Sequence, residues 1–316
     1  MIRCLCCNRV IENPDKYESQ VFWHKRCIKT FFGTKELPEL DCSEKELERI
    51  ANQSVNKGFT IPGVQKKLSI HLVDVDKTAR LTIVDYPAGY ILKPQSDEFM
   101  SLPEAEFLSM KMAESAKIKT VPNALMLVED KYVYITKRID RVDGQMLAME
   151  DFCQLSGRLT EDKYRGSYEN CGKVIRKYSG NIGIDMTEFF YRVLFCFLTG
   201  NSDMHLKNFS LIEEKAASRR FGLSAAYDLL PVNIIMPADH EQTALTLNGK
   251  KSNIRKKDFL SLAENLNIGE KTASGLLRQL LKHREKFINI VNDSYVSEEM
   301  KDSLKQLIDQ RANVLM

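Results

Sequence analysis

Apolar and polar positions change rhythm twice along the 316 residues. The stretch up to about Gly33 carries four of the eight cysteines and the single tryptophan. A polar, acidic stretch follows from Thr34 to Gln53, in which Ser43-Glu44-Lys45-Glu46-Leu47-Glu48 has the form of a capped helix start. Between Gly58 and Arg141 the dominant period is two. Lys67 to Val73 alternates at period two, Arg80 to Val84 more loosely, and Gly89-Tyr90-Ile91-Leu92-Lys93 is a short apolar strand stopped by Pro94. Helical spacing interrupts this pattern from Pro103 to Lys117, where Phe107, Leu108, Met110, Met112 and Ala113 recur on a helix. Two more strands are predicted at Asn123–Glu129 and Lys131–Lys137, separated by the turn signal Glu129-Asp130. From Asp140 onward the helical period takes over. Met186 to Thr199 predicts an apolar helix ended by Gly200, where the chain needs a positive φ. Asp258–Leu266 and Lys271–Val291 predict two further amphipathic helices. The expected fold class is α+β: a small β-rich part crossed by one helix, then a mainly helical part. The expected boundaries are 1–33, 34–140 and 141–316.

Composition narrows the class without naming a function. Hydrophobic content of 43% and charged content of 28% are those of a water-borne globular chain. Net charge is +3, from 46 basic and 43 acidic residues, which does not by itself call for nucleic acid. No apolar run reaches the roughly 20 residues needed to span a bilayer, and the N-terminus lacks the apolar core of a signal peptide. The expected setting is cytoplasmic, with the cysteines as thiols or metal ligands rather than disulfides.

The chemistry concentrates in Gly200-Asn201-Ser202-Asp203-Met204-His205-Leu206-Lys207-Asn208-Phe209-Ser210-Leu211, a polar loop between an apolar helix and an apolar strand. Asp203 and Asn208 stand five positions apart. Kinase catalytic loops use that spacing, with the Asp at the acceptor hydroxyl and the Asn on Mg²⁺. Asp228, in Ala225-Ala226-Tyr227-Asp228-Leu229-Leu230-Pro231, fits the second metal-binding carboxylate, since an Asp among apolar neighbours needs a partner or a cation. Lys93, at the end of its strand, fits the phosphate-pairing lysine, with Glu106 or Glu104 on the following helix as its partner. Singly, each has a plain reading: a snorkelling lysine, a turn-forming Asp before Pro231, a structural His205. Their order along the chain is what points to phosphoryl transfer. No G-x-x-x-x-G-K-[ST] and no G-x-G-x-x-G occurs, which excludes a P-loop, a Rossmann fingerprint and an ordinary protein-kinase glycine loop. Gly58 to Lys67, with Gly63 and two lysines, is the nearest candidate to cover phosphates.

At six places the residues resemble motifs of the HipA-type toxin kinases, in the family's order and over roughly residues 55 to 290. These are Thr60–Leu68, Tyr90–Pro94, Arg138–Arg141, Glu150–Gln154, Gly200–Leu211 and Ala226–Pro231. The resemblance implies a two-lobed kinase-like fold and an ATP- and Mg²⁺-dependent serine/threonine protein kinase of a toxin–antitoxin module. It implies Asp203 as catalytic base, Asn208 and Asp228 as Mg²⁺ ligands, and Lys93 as the ATP-phosphate lysine. His205 and Lys207 hold lesser catalytic-loop positions. Lys137 to Ile139 would be the hinge that meets adenine, and Thr60, Gly63, Val64 and Gln65 the phosphate-covering loop, with Thr60 as its candidate autophosphorylated hydroxyl. The implied substrate is a translation protein such as an aminoacyl-tRNA synthetase. The implied partners are an antitoxin, which would carry any DNA contact, and a separate small protein replacing the N-terminal subdomain of longer relatives.

Outside the resemblance, Cys4-x-x-Cys7 and His24-x-x-Cys27 form a C-x₂-C-x₁₆-H-x₂-C pattern suited to tetrahedral structural Zn²⁺, with Cys6 as a rival ligand. The expected N-terminal part is therefore a small zinc module. A competing functional reading is a catalytically inactive kinase-like module acting through partner or DNA contacts, for which Lys250-Lys251 and Arg255-Lys256-Lys257 are the basic clusters. A third is a small-molecule or lipid kinase.

Overall fold

The period-two zone supplies five strands of a six-stranded sheet, and Glu39–Leu40, from the polar stretch before it, supplies the sixth. A computed structural model describes residues 2–40, 42–43, 47, 49, 67–75, 78–84, 86–96, 98–142 and 144–316. The chain divides into two units. The first comprises Met1–Lys111, Val121–Ile139 and Asp293–Tyr295; the second comprises Met112–Thr120, Asp140–Asn292 and Val296–Met316.

In the first unit the strands are β1 (Glu39–Leu40), β2 (Leu68–Val75), β3 (Thr78–Val84), β4 (Tyr90–Lys93), β5 (Asn123–Val128) and β6 (Lys131–Lys137), in the order β1-β3-β2-β4-β6-β5. β1 lies parallel to β3, and the remaining pairs are antiparallel. β4 is central, which explains why it reads as an apolar run instead of an alternation: Tyr90, Leu92 and Lys93 are all buried. The β5–β6 hairpin turns through Glu129 at φ 55°, as the Glu129-Asp130 signal predicts. Edge strand β5 is covered by the N-terminal segment, whose Leu5 carbonyl accepts from the Leu125 amide at 2.8 Å. The helix Leu102–Ser115 begins in this unit.

The second unit is built on the helix Ile182–Thr199, buried from Asp185 nearly throughout. The helices Tyr168–Tyr178, Lys256–Asn265, Glu270–Lys282 and Glu298–Leu315 pack against it. Phe195 meets Phe287 edge-on at 5.8 Å, and Phe197 meets Phe259 at 5.1 Å. The buried Arg311 caps the core, its guanidinium 4.5 Å from the Phe197 ring centroid and donating to the Phe197 carbonyl at 2.9 Å. The central helix starts four residues before the predicted Met186, because Gly180 and Gly183 dilute the apolar pattern there. The predicted helix Lys271–Val291 is two helices, Glu270–Lys282 and Arg284–Asn292, broken at His283. A short hairpin, β7 (Arg141–Val142) and β8 (Gln145–Met146), leads into a three-stranded sheet. Its order is β11-β10-β9, from β9 (Met149–Asp151), β10 (Ser210–Glu213) and β11 (Phe221–Leu223). Among the described residues no helix is long and apolar enough to cross a membrane.

Candidate active site

The Ile182–Thr199 helix ends on Gly200 at φ 77°, whose amide returns to the Cys196 and Phe197 carbonyls. A Cβ there would come within 2.4 Å of Leu307 Cδ2, so the position needs glycine for space as well as for its backbone. The chain then closes on itself around the Asp203 backbone. The Asp203 carbonyl accepts from the Asn208 side-chain amide at 2.8 Å and from the His205 amide at 2.8 Å. The Asp203 amide donates to Asn201 Oδ1 at 3.2 Å. A 3₁₀ turn at Leu206–Asn208 completes the loop before β10. The spacing of five between Asp203 and Asn208 is thus the length at which the Asn side chain can clamp the Asp carbonyl.

The Asp203 carboxylate accepts a 2.6 Å hydrogen bond from the Tyr164 hydroxyl. Burial first, and then the negative charge of Asp203, push the Tyr164 phenol well above its ordinary value, so it stays a donor. The Tyr164 ring meets the buried His205 imidazole edge-on at 5.0 Å. Lys207 donates to Thr160 Oγ1 at 3.2 Å and lies 3.9 Å from Asp151 Oδ2, so its charge turns toward β9. Asp228 has φ 56°, a left-handed backbone that Asp accepts more readily than most residues. The preceding Tyr227 hydroxyl donates to the Lys207 carbonyl at 3.0 Å and receives from Ser210 Oγ at 2.5 Å. The strand-like stretch carrying Asp228 is thereby tied to the Asp203–Asn208 loop. Asn208 and Asp228 both present oxygen donors, the chemistry that Mg²⁺ takes.

In the first unit, Lys93 Nζ lies 2.5 Å from Glu106 Oε1, with both side chains at most 3% exposed. The ammonium also faces the Tyr134 ring, 5.3 Å from its centroid. Of the two candidate glutamates, then, the structure pairs Glu106 with Lys93. Burial of Glu104 pushes its carboxyl up to about 7, and its charge acts on Tyr132. At the end of β6, the Lys137 amide donates to Pro122 O at 3.0 Å and the Arg138 amide to Gly89 O at 2.9 Å. Of the expected hinge amides those two are committed to the sheet, and Ile139 follows half-buried. Thr60, Gly63, Val64 and Gln65 lie outside the described residues.

Cys4, Cys7, His24 and Cys27 converge in the first unit, their ligand atoms all within 4.8 Å of one another, and Cys6 falls outside this set. Tyr164, Asn201, Thr160 and Tyr227 are site residues that reasoning from the sequence did not find. Tyr164 lies in a polar stretch without periodicity, and only the folded loop brings it to Asp203.

A family model described as the HipA-like C-terminal domain matches residues 59–288. A "Putative kinase" of Haemophilus influenzae is 26% identical over 309 residues, covering 88% of each chain. The "Putative kinase Y4dM" of Sinorhizobium fredii is 31% identical over 243 residues, 71% of this chain and 58% of its own length. The fold is similar to that of HipA from Shewanella oneidensis MR-1, solved with HipB and operator DNA, at a TM-score of 0.68 and 17% identity. That match covers 80% of this chain and 64% of the HipA chain. It is also similar to the Helicobacter pylori proinflammatory kinase CtkA, at a TM-score of 0.56 and 17% identity, over 74% of this chain and 88% of CtkA. The mixed α and β architecture is therefore a kinase-like fold, and by the extent of the model match the chain belongs to the family of the HipA-like C-terminal domain.

Proposed function

We propose that this chain is an ATP-dependent serine/threonine protein kinase, acting as the toxin of a toxin–antitoxin module. The observation that carries the reading is the Asp203 loop. Asn201, His205 and Asn208 fix the Asp203 backbone, so its carboxylate is held on a rigid turn, as a group that receives a proton must be. Asp203 would align an incoming hydroxyl and take its proton. Tyr164 would hold the carboxylate in its rotamer without competing as a base, since its phenol stays protonated. Lys93, oriented by Glu106, would neutralise phosphate charge. Asn208 and Asp228 would hold Mg²⁺, which supplies charge neutralisation at the transferred phosphoryl group. His205 and Lys207 serve the loop's shape, the first packed under Tyr164 and the second bonded to Thr160.

The substrate we propose is a protein of the translation machinery, such as an aminoacyl-tRNA synthetase. HipA of Shewanella oneidensis was solved with HipB and operator DNA. By analogy an antitoxin partner is proposed here, with DNA contact made through it. The test is transfer of labelled γ-phosphate from Mg-ATP by wild type and Asp203→Ala, after phosphatase treatment, with and without bacterial lysate. Labelling of the chain or of one lysate protein, lost in the variant, is expected. Absence of labelling in every sample would replace the kinase reading with that of a binding module.

A further inference from the structure

The ligand atoms of Cys4, Cys7, His24 and Cys27 all lie within 4.8 Å of one another. Cys7 Sγ lies 3.5 Å and Cys27 Sγ 3.8 Å from the same atom, His24 Nδ1. One imidazole nitrogen can serve a single hydrogen bond along its lone pair or its N–H, so two sulfurs on it exceed what hydrogen bonding explains. Zn–S bonds of about 2.3 Å and Zn–N bonds of about 2.0 Å at the tetrahedral angle give S···N edges of about 3.6 Å and S···S edges of about 3.8 Å. The two S···N distances, 3.5 and 3.8 Å, are of that size, and all four ligand atoms lie within 4.8 Å of one another. The local backbone is arranged for thiolates as well. The amide of His24 donates to Cys4 Sγ at 3.4 Å. A tight turn, closed by Asn8 N to Cys4 O at 2.8 Å, presents Cys4 and Cys7 together. His24 caps the helix Lys25–Phe32, and Cys27 follows in its first turn.

We propose that these four side chains bind one Zn²⁺, and that the ion fixes the helix Lys25–Phe32 against β4, the strand that carries Lys93. The three thiols would ionise on binding and release their protons to solvent, and His24 would bind as the neutral imidazole through Nδ1. The soft S₃N donor set selects Zn²⁺ over the hard cations. A helix of eight residues does not hold its shape alone, and some thirty residues cannot bury a sufficient core. Here the fully buried Trp23 packs on Phe31 and Phe32, each at 5.7 Å between ring centroids. Those two rings meet Tyr90 of β4 at 6.0 and 5.5 Å. The Tyr90 hydroxyl donates to the Phe31 carbonyl at 3.4 Å, and Lys137 at the end of β6 lies 5.6 Å from the Phe31 centroid. Cys27 and Phe31 are one helical turn apart, so an ion on the first sets the position of the second.

The experiment is metal analysis of the purified full chain, its Co²⁺-substituted form, and Cys7→Ser, His24→Ala and Cys6→Ser variants. One zinc per chain is expected, kept in Cys6→Ser and lost in the other two. Visible bands of tetrahedral Co²⁺ with thiolate charge transfer are expected in the wild type, whose folding no substitution compromises. A folded, metal-free wild type, bound iron instead of zinc, or an octahedral Co²⁺ spectrum would overturn the site. Loss of zinc in Cys6→Ser with retention in Cys7→Ser would overturn the ligand set. Chelation should lower the thermal midpoint read by Trp23 fluorescence by ~5 °C or more. An unchanged midpoint would overturn the bracing role. None of these readouts depends on phosphate transfer.

Discussion

Replacing Glu106 with leucine removes a carboxylate from 2.5 Å beside an ammonium that is 3% exposed. Removing one partner of a buried ion pair costs about 3–5 kcal/mol, because the other charge keeps its desolvation penalty without its counter-charge. Lys93→Met makes the reciprocal change and should cost about as much. Replacing both with apolar residues of similar volume abolishes the penalty along with the attraction, so Lys93→Met/Glu106→Leu should lie within about 1 kcal/mol of the wild type or above it. Tyr134 helps here, since its ring already borders the Lys93 position and offers an apolar wall to methionine.

The assay is urea unfolding followed by tryptophan fluorescence. The chain has one tryptophan, Trp23, fully buried in the same unit as Lys93 and Glu106, so the signal originates in that unit. With a urea dependence of about 2 kcal/mol per molar, each single variant should unfold at roughly 1–3 M less urea, and the double variant near the wild-type midpoint. Phosphate transfer should be lost in Lys93→Met and in the double variant, although the latter is stable. If the double variant is as unstable as the two single effects added together, the pair is not the coupled unit described here. If the stable double variant still transfers phosphate at the wild-type rate, Lys93 is not the phosphate lysine.

Asp203→Ala should lower transfer at least about hundredfold while nucleotide binding persists, and Asp228→Ala should impair both; calorimetry with Mg-ATP beside a transfer assay separates them, and retained transfer in Asp203→Ala refutes the assignment. Tyr164→Phe removes the 2.6 Å hydrogen bond to Asp203 and should lower kcat about tenfold with an unchanged KM for ATP. An unchanged kcat would end the positioning role of Tyr164. Burial raises the Glu104 carboxyl from its ordinary 4.5 to about 7, so the folded state holds the proton more tightly than the unfolded one. The cost of burying the carboxylate is therefore absent below pH 4.5, grows through the interval and is complete above pH 7. Glu104→Gln should gain on the order of 1–3 kcal/mol at pH 8 and nothing at pH 4.5, by Trp23-monitored unfolding; an equal gain at both pH values would contradict this.

Much of the architecture is legible because burial on one side leaves a period in the sequence. β2 alternates because Leu68 and Ile70 face the core while His71 is exposed, and β4 does not alternate because Tyr90 and Leu92 are buried on one face and Lys93 on the other. The Gly200 stop is legible because a positive φ and a close neighbour at Leu307 leave no other residue a place there. The helices Tyr168–Tyr178 and Glu298–Leu315 escaped, although Ser167 and Ser297 cap them and Leu304, Ile308, Ala312 and Leu315 mark the second one's buried face. The break at His283 escaped because its residues favour a helix, and only the local backbone divides it. In the loop, the Asp203–Asn208 spacing is visible in the chain. The contact with Tyr164 is not, since 39 positions separate donor from acceptor.

The two glutamates of the Leu102–Ser115 helix show why some of the site could not be read from the chain. At 3.6 residues per turn, Glu104 and Glu106 point about 200° apart, so a single face can accommodate only one of them. On a surface helix the apolar stripe would name the inward one. Here Ala105, Phe107, Leu108, Met110, Met112 and Ala113 are all at most 2% exposed, and at about 100° per residue they are spread around the helix instead of lying along one face. No stripe exists, and intrinsic pattern cannot choose. The choice comes from a residue 13 positions earlier, where β4 places Lys93 opposite Tyr134 in register with β6 and turns its ammonium toward Glu106. Glu104 then has burial without that cation, which is the condition that raises its carboxyl. One strand register thus accounts for both glutamates, the partner of Lys93 and its neighbour one helical face away. A register shift of a single residue would turn Lys93 to the other face of the sheet and break the pair.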